Sequence, residues 1–321
     1  LESKINRITD ILRRDDGISG AMHYTEQISW ILFLKFLNDL EDSKADEALL
    51  IRKEYTTILD EKYKWSNWAV PKVNGKIDLI NAASGSDLLD FVNKELFPYL
   101  KGFKNITEDP KSIKYKIGAI FEFLDNRIAN GHTLREVLDV IDELDFHNQS
   151  DLFQLSLIYE KLLKDMGSDG GNSGEFYTPR PLIKVMADVV NPQIGQTIYD
   201  PAVGSCGFLI EAYNHIRYID PKANKQRDIS VDQLKFLSED TFFGNEKTPL
   251  SYVMGVMNMI LHGIESPNIA KTNTLTKDIR GLEEKDRYDI ILAIYSLKKS
   301  INPLYSIKKT SMKPMRLWGV F

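Results

Sequence analysis

The run Asp200-Pro201-Ala202-Val203-Gly204-Ser205-Cys206-Gly207-Phe208-Leu209 constrains the fold more than any other part of the chain. It follows a short apolar stretch, Thr197 to Tyr199, that reads as a strand, and it opens a segment from about Cys206 to Arg217 with apolar residues at helical spacing. Strand, glycine turn and helix in that order begin an α/β unit with a parallel sheet. Gly204 and Gly207 let the backbone turn tightly and approach a ligand, and the Asp200 carboxylate at the strand end can accept hydrogen bonds from amino or hydroxyl groups. By itself such a turn serves packing as readily as binding.

The neighbouring sequence continues the alternation. Pro179 to Val190 reads as a helix, Thr241 to Gly244 as a strand, Pro249 to His262 as a helix and Tyr288 to Ala293 as a buried strand. Ligands of such sheets sit at the carboxyl ends of the strands. Upstream the pattern is helical. Ile5, Ile8, Ile11 and Leu12 share one helical face, Tyr24 to Phe36 continues the periodicity, and further helices are predicted over Asp87 to Tyr99, Ser112 to Ala129, Thr133 to Leu144 and Asp151 to Lys164. A polar stretch from Trp65 to Ser86, with Pro71, Asn74-Gly75 and Gly85, reads as turns. Between the two patterns, Gly167 to Gly174 has the composition of a flexible connector or of a loop that closes on a ligand.

Charge and cysteine content exclude several functions. Asp and Glu outnumber Lys and Arg by 46 to 41, so no global basic field announces a protein that grips nucleic acid unaided, and any DNA contact is local or shared with a partner. Cys206 is the only cysteine, which excludes an intrachain disulfide and a cysteine-rich metal site and fits a reducing cytoplasm. His23, His132, His147, His215 and His262 lack metal-ligand spacing, so no metal is expected. The longest apolar run, Trp30 to Leu37, is short and broken by Lys35, so no membrane segment is expected either. Trp30, Phe33, Phe36 and Leu37 read as core, while Tyr63, Trp65 and Trp68 read as loop packing or as a contact for a partner or DNA.

Two further segments bear on binding. In Gly174-Glu175-Phe176-Tyr177-Thr178-Pro179-Arg180, Thr178 suits an N-cap and Pro179 a first helical residue, which leaves Glu175 and the aromatic pair without a structural role. In Phe243-Gly244-Asn245-Glu246 an acidic residue ends a strand, where it can cap a helix or hold ribose hydroxyls. Its distance from the glycine turn requires a helix-containing insertion over Asp220 to Asp240.

These segments, followed in order by the Met257-Asn258-Met259-Ile260-Leu261-His262-Gly263 helix end, Asn273-Thr274-Leu275 and Tyr288-Asp289-Ile290-Ile291-Leu292-Ala293, resemble the methylation subunit of type I restriction-modification systems, a DNA adenine-N6 methyltransferase family. The resemblance runs from the start of the chain to about Ala293. It implies an N-terminal helical domain over residues 1–146 and a partial Rossmann-like methyltransferase domain over 147–293, and residues 294–321 depart from it as an atypical basic tail. It also implies S-adenosylmethionine as cofactor, with Glu175, Phe176, Tyr177, Thr178, Pro179 and Arg180 folding over it, Asp200, Gly204, Ser205, Cys206 and Gly207 at its amino-acid end and Glu246 on its ribose. The partners implied are DNA, a specificity subunit and a restriction subunit, with two methylation subunits per complex. Cys206 stands where the family usually has glycine, so its side chain is expected to restrict a backbone angle or narrow the approach to the cofactor. With no basic partner assigned to it by the sequence, it is not expected to act as a nucleophile.

The resemblance also calls for Asn-Pro-Pro-Phe directly after Ala293, where amide and carbonyl oxygens take the adenine amino hydrogens and the ring stacks on a flipped base. The chain has Ile294-Tyr295-Ser296-Leu297 there, and a displaced near-copy at Asn302, Pro303, Leu304 and Tyr305. Beyond Ala293, Lys298, Lys299, Lys308, Lys309, Lys313 and Arg316 occur with no acidic residue. A reading-frame change after Ala293, a chain from which segments have been omitted, and a basic tail that touches DNA are the three explanations, of which the first is favoured. The expectation is a methyltransferase subunit truncated in or after its active-site motif, with methyl transfer lost. The alternative is a non-catalytic assembly subunit that binds the specificity subunit.

Overall fold

The computed structural model describes residues 2–73, 76–78, 82–107, 109–144, 146, 159–164, 178–220, 225–264, 266–276, 283–294 and 316–320. The chain divides into two compact units, one of Leu1–Ser173 with Ile260–His262, the other of Gly174–Met259 with Gly263–Phe321.

The first unit is helical. Helix α1 (Glu2–Leu12) buries Ile5, Ile8, Ile11 and Leu12, and α2 (Ala21–Leu50) has 30 residues, about 45 Å of helix. From Tyr24 to Leu37 every residue of α2 is buried, polar ones such as Gln27 and Lys35 included, the mark of a central helix. Trp30 meets Phe97 edge-on at 5.2 Å, and Phe97 meets Phe121 at 5.3 Å, so the aromatic run of α2 is core, as its spacing predicts.

The polar stretch is more ordered than turns alone. It holds a short helix α3 (Trp65–Trp68) and an antiparallel pair, β1 (Lys72–Val73) and β2 (Lys76–Ile77), flanking the Asn74-Gly75 dipeptide favoured in hairpins. Trp65 and Trp68 are buried, with Trp65 Nε1 donating to Asp142 Oδ1 at 2.9 Å, while Tyr63 stacks on Tyr99 at 3.8 Å. Trp65 and Trp68 thus serve as packing, while Tyr63 is half-buried against Tyr99. Helix α4 (Gly85–Phe91) runs through a wide π-type turn at Val92–Leu96 into α5 (Phe97–Ile106), where Pro98 cannot donate to the preceding turn.

Helix α6 (Ile113–Phe121) stops short of the predicted Ala129. The backbone beyond it is claimed by α2 instead: Gln27 Nε2 donates to the Asp125 carbonyl at 3.2 Å and Gln27 Oε1 accepts from Arg127 N at 3.1 Å. Asp15 accepts amides from Gly17, Ala129 and Asn130, holding that segment at the start of α7 (Gly131–Asp142). Of the helix predicted over Asp151 to Lys164, the described residues 159–164 are helical, and the earlier part lies outside the described residues.

The second unit is α/β. Helix α8 (Arg180–Val190) precedes the strand β3 (Ile198–Asp200) and helix α9 (Gly207–Arg217). The predicted insertion follows as a small antiparallel pair, β4 (Tyr218–Asp220) with β5 (Lys225–Gln226), and α10 (Val231–Glu239). Then come β6 (Phe242–Glu246), α11 (Pro249–Leu261), β7 (Asn268–Lys271), β8 (Ile290–Ile294) and β9 (Arg316–Val320). The five-stranded sheet has the order β7-β6-β3-β8-β9, and its neighbours are all parallel. After β3 the chain builds outward through β6 and β7, then returns to the other flank of β3 with β8, which places a topological switch point beside β3.

Thr197 and Asp289 fix the opposite, amino-terminal end of the β3–β8 pair. Thr197 N and Oγ1 donate to Asp289 Oδ2 at 2.8 and 3.0 Å, and Asp289 N donates back to Thr197 Oγ1 at 3.1 Å. Asp289 is therefore a register pin.

Candidate functional site

The glycine turn leaves the carboxyl end of β3 and is satisfied almost group by group. Ala202 N donates to Asp200 Oδ1 at 2.9 Å, Val203 N to the Asn245 carbonyl at 3.0 Å, and Cys206 N to the Val203 carbonyl at 2.7 Å. Gly204 N donates to Glu246 Oε2 at 3.0 Å. The two segments singled out in the sequence thus meet directly, because β6 lies beside β3 and ends in Glu246. The other oxygen of Glu246 accepts Thr248 N at 2.7 Å, which also ties the start of α11 to the same carboxylate.

Two residues of α11 complete the support, and neither stood out as a candidate in the sequence. Asn258 Nδ2 donates to the Ser205 carbonyl at 2.8 Å. At Gly255 a Cβ would lie 2.6 Å from the Gly204 carbonyl and 2.8 Å from Cys206 Sγ, so only glycine lets the helix approach the turn this closely. Their signal was a glycine and a lone asparagine inside an otherwise apolar helix.

Cys206 occupies the left-handed region at φ 62°, directly before the first residue of α9. Glycine adopts this angle without the steric cost of a Cβ, so the predicted conflict between side chain and backbone angle is present in the fold. The thiol is buried, and burial pushes its pKa well above the ordinary value despite the nearby Arg180, which leaves an inert thiol rather than a nucleophile.

Arg180 begins α8 with its guanidinium against the backbone of Gly207: a Cβ there would lie 2.5 Å from Nη1. The N-cap differs from expectation. Pro179, not Thr178, holds that position, its carbonyl accepting Leu182 N at 3.1 Å and Ile183 N at 3.3 Å. Prolines at 179 and 181 lack the amide hydrogens that a helix start leaves unmatched, so a side-chain cap is less needed. Arg180, Asp200, Gly204, Ser205, Cys206, Gly207 and Glu246 therefore form one cluster, with Thr178 and Pro179 leading into it. Glu175, Phe176 and Tyr177 lie outside the described residues, as do Asn302, Pro303 and Tyr305.

Asp200 is 2% exposed. Burial raises its pKa from 3.8 to about 7, with Glu246 adding to the rise and the Ala202 amide opposing it. Between about pH 4 and 7 the folded chain then holds a proton that the unfolded chain releases, so this carboxyl lowers stability as pH rises through that window. Asp200→Asn keeps the oxygen that accepts Ala202 N. It is expected to be more stable than the parent by roughly 1–3 kcal/mol at pH 8, and equal to it near pH 4. Urea denaturation at a series of pH values checks this; a constant difference between the two proteins across the range would contradict it.

Among the described residues no three His, Cys, Asp or Glu side chains gather as a metal ion would need, and no helix is long and apolar enough to cross a membrane.

Comparison with known proteins places this geometry in context. The N-6 DNA Methylase family matches residues 148–313, running past Ala293, and the HsdM N-terminal domain family matches residues 1–151. The chain is 33% identical over 287 residues to the type I restriction enzyme EcoEI methylase subunit of Escherichia coli, covering 89% of this chain and 54% of that protein. A crystal structure of a modification subunit assigned to a type I restriction enzyme of Vibrio vulnificus YJ016 superposes with TM-score 0.76 at 33% identity, over 91% of this chain and 59% of that one. A chain from a structural study of complex assembly and conformational transition in a type I R-M system superposes with TM-score 0.70 at 36% identity, over 91% and 54%. The chain spans about half the length of the curated relatives it matches.

Proposed function

Because this chain belongs to the N-6 DNA methylase family and carries the N-terminal domain of type I methylation subunits, we propose that it is such a subunit and binds S-adenosylmethionine where β3 and β6 end, for transfer of methyl to adenine N6 in DNA. The observation that carries the reading is the junction of Glu246 with the glycine turn. Each Glu246 oxygen accepts one backbone amide, and a carboxylate has about four acceptor positions, so one remains on each oxygen. Two acceptors side by side suit the paired hydroxyls of a ribose.

The rest of the cluster fits the remainder of the donor. On this reading Gly204, Ser205, Cys206 and Gly207 line its amino-acid end, and the Glu246 carboxylate gives the site an acidic character that suits a cation. Asp200, buried beneath the turn, acts there by shaping it. Glu175 to Arg180 are assigned to the cover on this reading, and of its described part the Arg180 guanidinium lies against Gly207. The bound donor supplies an electrophilic methyl on a positively charged sulfur. The partners on this reading are DNA, a specificity subunit and a restriction subunit, with two methylation subunits in the complex.

One observation favours a second reading, a subunit that assembles without transferring methyl: Ile294-Tyr295-Ser296-Leu297 stands where the resemblance calls for Asn-Pro-Pro-Phe. Titration calorimetry with S-adenosylmethionine, alongside capture of a specificity subunit, separates the two. The parent is expected to bind the donor, and Glu246→Ala to weaken binding roughly 10- to 100-fold through the lost ribose bonds. Capture of the partner by a chain with no donor affinity would support the assembly reading and remove the first.

A further inference from the structure

Asn273-Thr274-Leu275 is a sequence signal to which the proposed site gives no task. In the structure Thr274 begins a single 3-10 turn, Thr274–Thr276, beyond the carboxyl end of β7. Its Oγ1 donates to the Pro201 carbonyl at 2.6 Å and accepts from Asn245 Nδ2 at 3.0 Å. The same Asn245 nitrogen donates to the Tyr199 hydroxyl at 2.8 Å. Amide, hydroxyl and carbonyl form a directional relay in which each bond polarises the next. It joins the ends of β3, β6 and β7.

The contact at Pro201 matters because of where it falls. Val203 and Gly204 are held by the tip of β6 and Ser205 by α11, whereas Pro201 is the hinge at which the turn leaves β3. The Thr274 hydroxyl bonds the Pro201 carbonyl from the turn after β7, and so sets the angle at which the following amides rise toward Glu246.

We infer that Thr274 is a positioning residue for the glycine turn: through Pro201 it fixes how Gly204 and Glu246 face the methyl donor. The inference rests on the donor-site reading above, and the relay itself rests on geometry alone.

The test compares the parent chain with Thr274→Val, which keeps the shape and removes the hydroxyl, and Thr274→Ser, which keeps the hydroxyl. Amide hydrogen exchange at Ala202 to Cys206 without ligand, thermal midpoint and calorimetry with S-adenosylmethionine are measured on each. In Thr274→Val, exchange is expected to rise and donor affinity to fall, each roughly tenfold, as one lost hydrogen bond would cause, with little change in thermal midpoint. Thr274→Ser is expected to behave as the parent. Unchanged exchange in Thr274→Val, faster exchange with undiminished donor affinity, or a serine variant as impaired as valine would each overturn the inference. A parent that binds no donor would defeat the donor-site reading on its own, while the exchange comparison still decides whether Thr274 holds the turn.

Discussion

Replacing Gly244 with alanine is expected to weaken donor binding by about a hundredfold and to destabilise the second unit by about 3 kcal/mol, the upper part of the range for overpacked sites. An added Cβ at Gly244 would lie 2.2 Å from Val203 Cγ1 and 2.9 Å from the Asp200 carbonyl oxygen. Neither neighbour can retreat cheaply. Asp200 is paired with Gly244 across the β3–β6 ladder, and Val203 is held by bonds to Asn245 and Cys206. The chain must either spread two strands or lift the glycine turn from β6, and lifting it breaks the bond between Gly204 and Glu246 on which the proposed ribose contact depends. If the whole cost fell on the bound state, about 3 kcal/mol would exceed a hundredfold in affinity. Gly102→Ala serves as the control, since an added methyl there meets nothing within 4 Å inside α5 and should stabilise slightly. Donor affinity within threefold of the parent in Gly244→Ala would mean that the turn does not need its present seat on β6.

How much of this was legible in the sequence depended on where polar residues fall. The alternation of the second unit was readable because its apolar runs are short and bounded, yet β3, β6 and β8 all end later than predicted. Asp200 and Glu246 are the reason for two of these. Both are ladder residues, opposite Gly244 and Lys271, but a carboxylate at the end of an apolar run reads as the start of a loop. The glycine turn and Glu246 stood out as residue types placed at strand ends, and the fold joins them through the Gly204 amide. The tasks of Gly255, Asn258 and Thr274 were not legible, since they are set by which backbone carbonyls the fold brings opposite them. In the first unit the long helical stripes were clear. The early end of α6 was not, because it follows from Gln27 bonding to a segment 98 residues away.

Lys35 shows the same limit in the helical unit, and carries the other large effect. In the sequence it breaks an apolar run; in the fold it is buried in α2, with Nζ 2.6 and 2.8 Å from the two oxygens of Asp39 one turn on. Asp39, 1% exposed, also accepts Phe146 N at 3.2 Å. Lysine preceding its acidic partner is the weaker order on an isolated helix, so burial rather than helix electrostatics sustains the pair. Removing one member should therefore cost far more than a surface ion pair contributes. Asp39→Ala is expected to destabilise the first unit by about 3–5 kcal/mol, because an ammonium is left buried without its carboxylate and the Phe146 amide loses its acceptor. The double replacement Lys35→Met with Asp39→Leu removes both charges and should recover most of that loss, leaving chiefly the unmet Phe146 amide. Equilibrium urea denaturation of the three proteins decides it. A single variant costing under about 1 kcal/mol, or a double variant no better than the single, would place the pair in solvent-like surroundings instead of the core of α2.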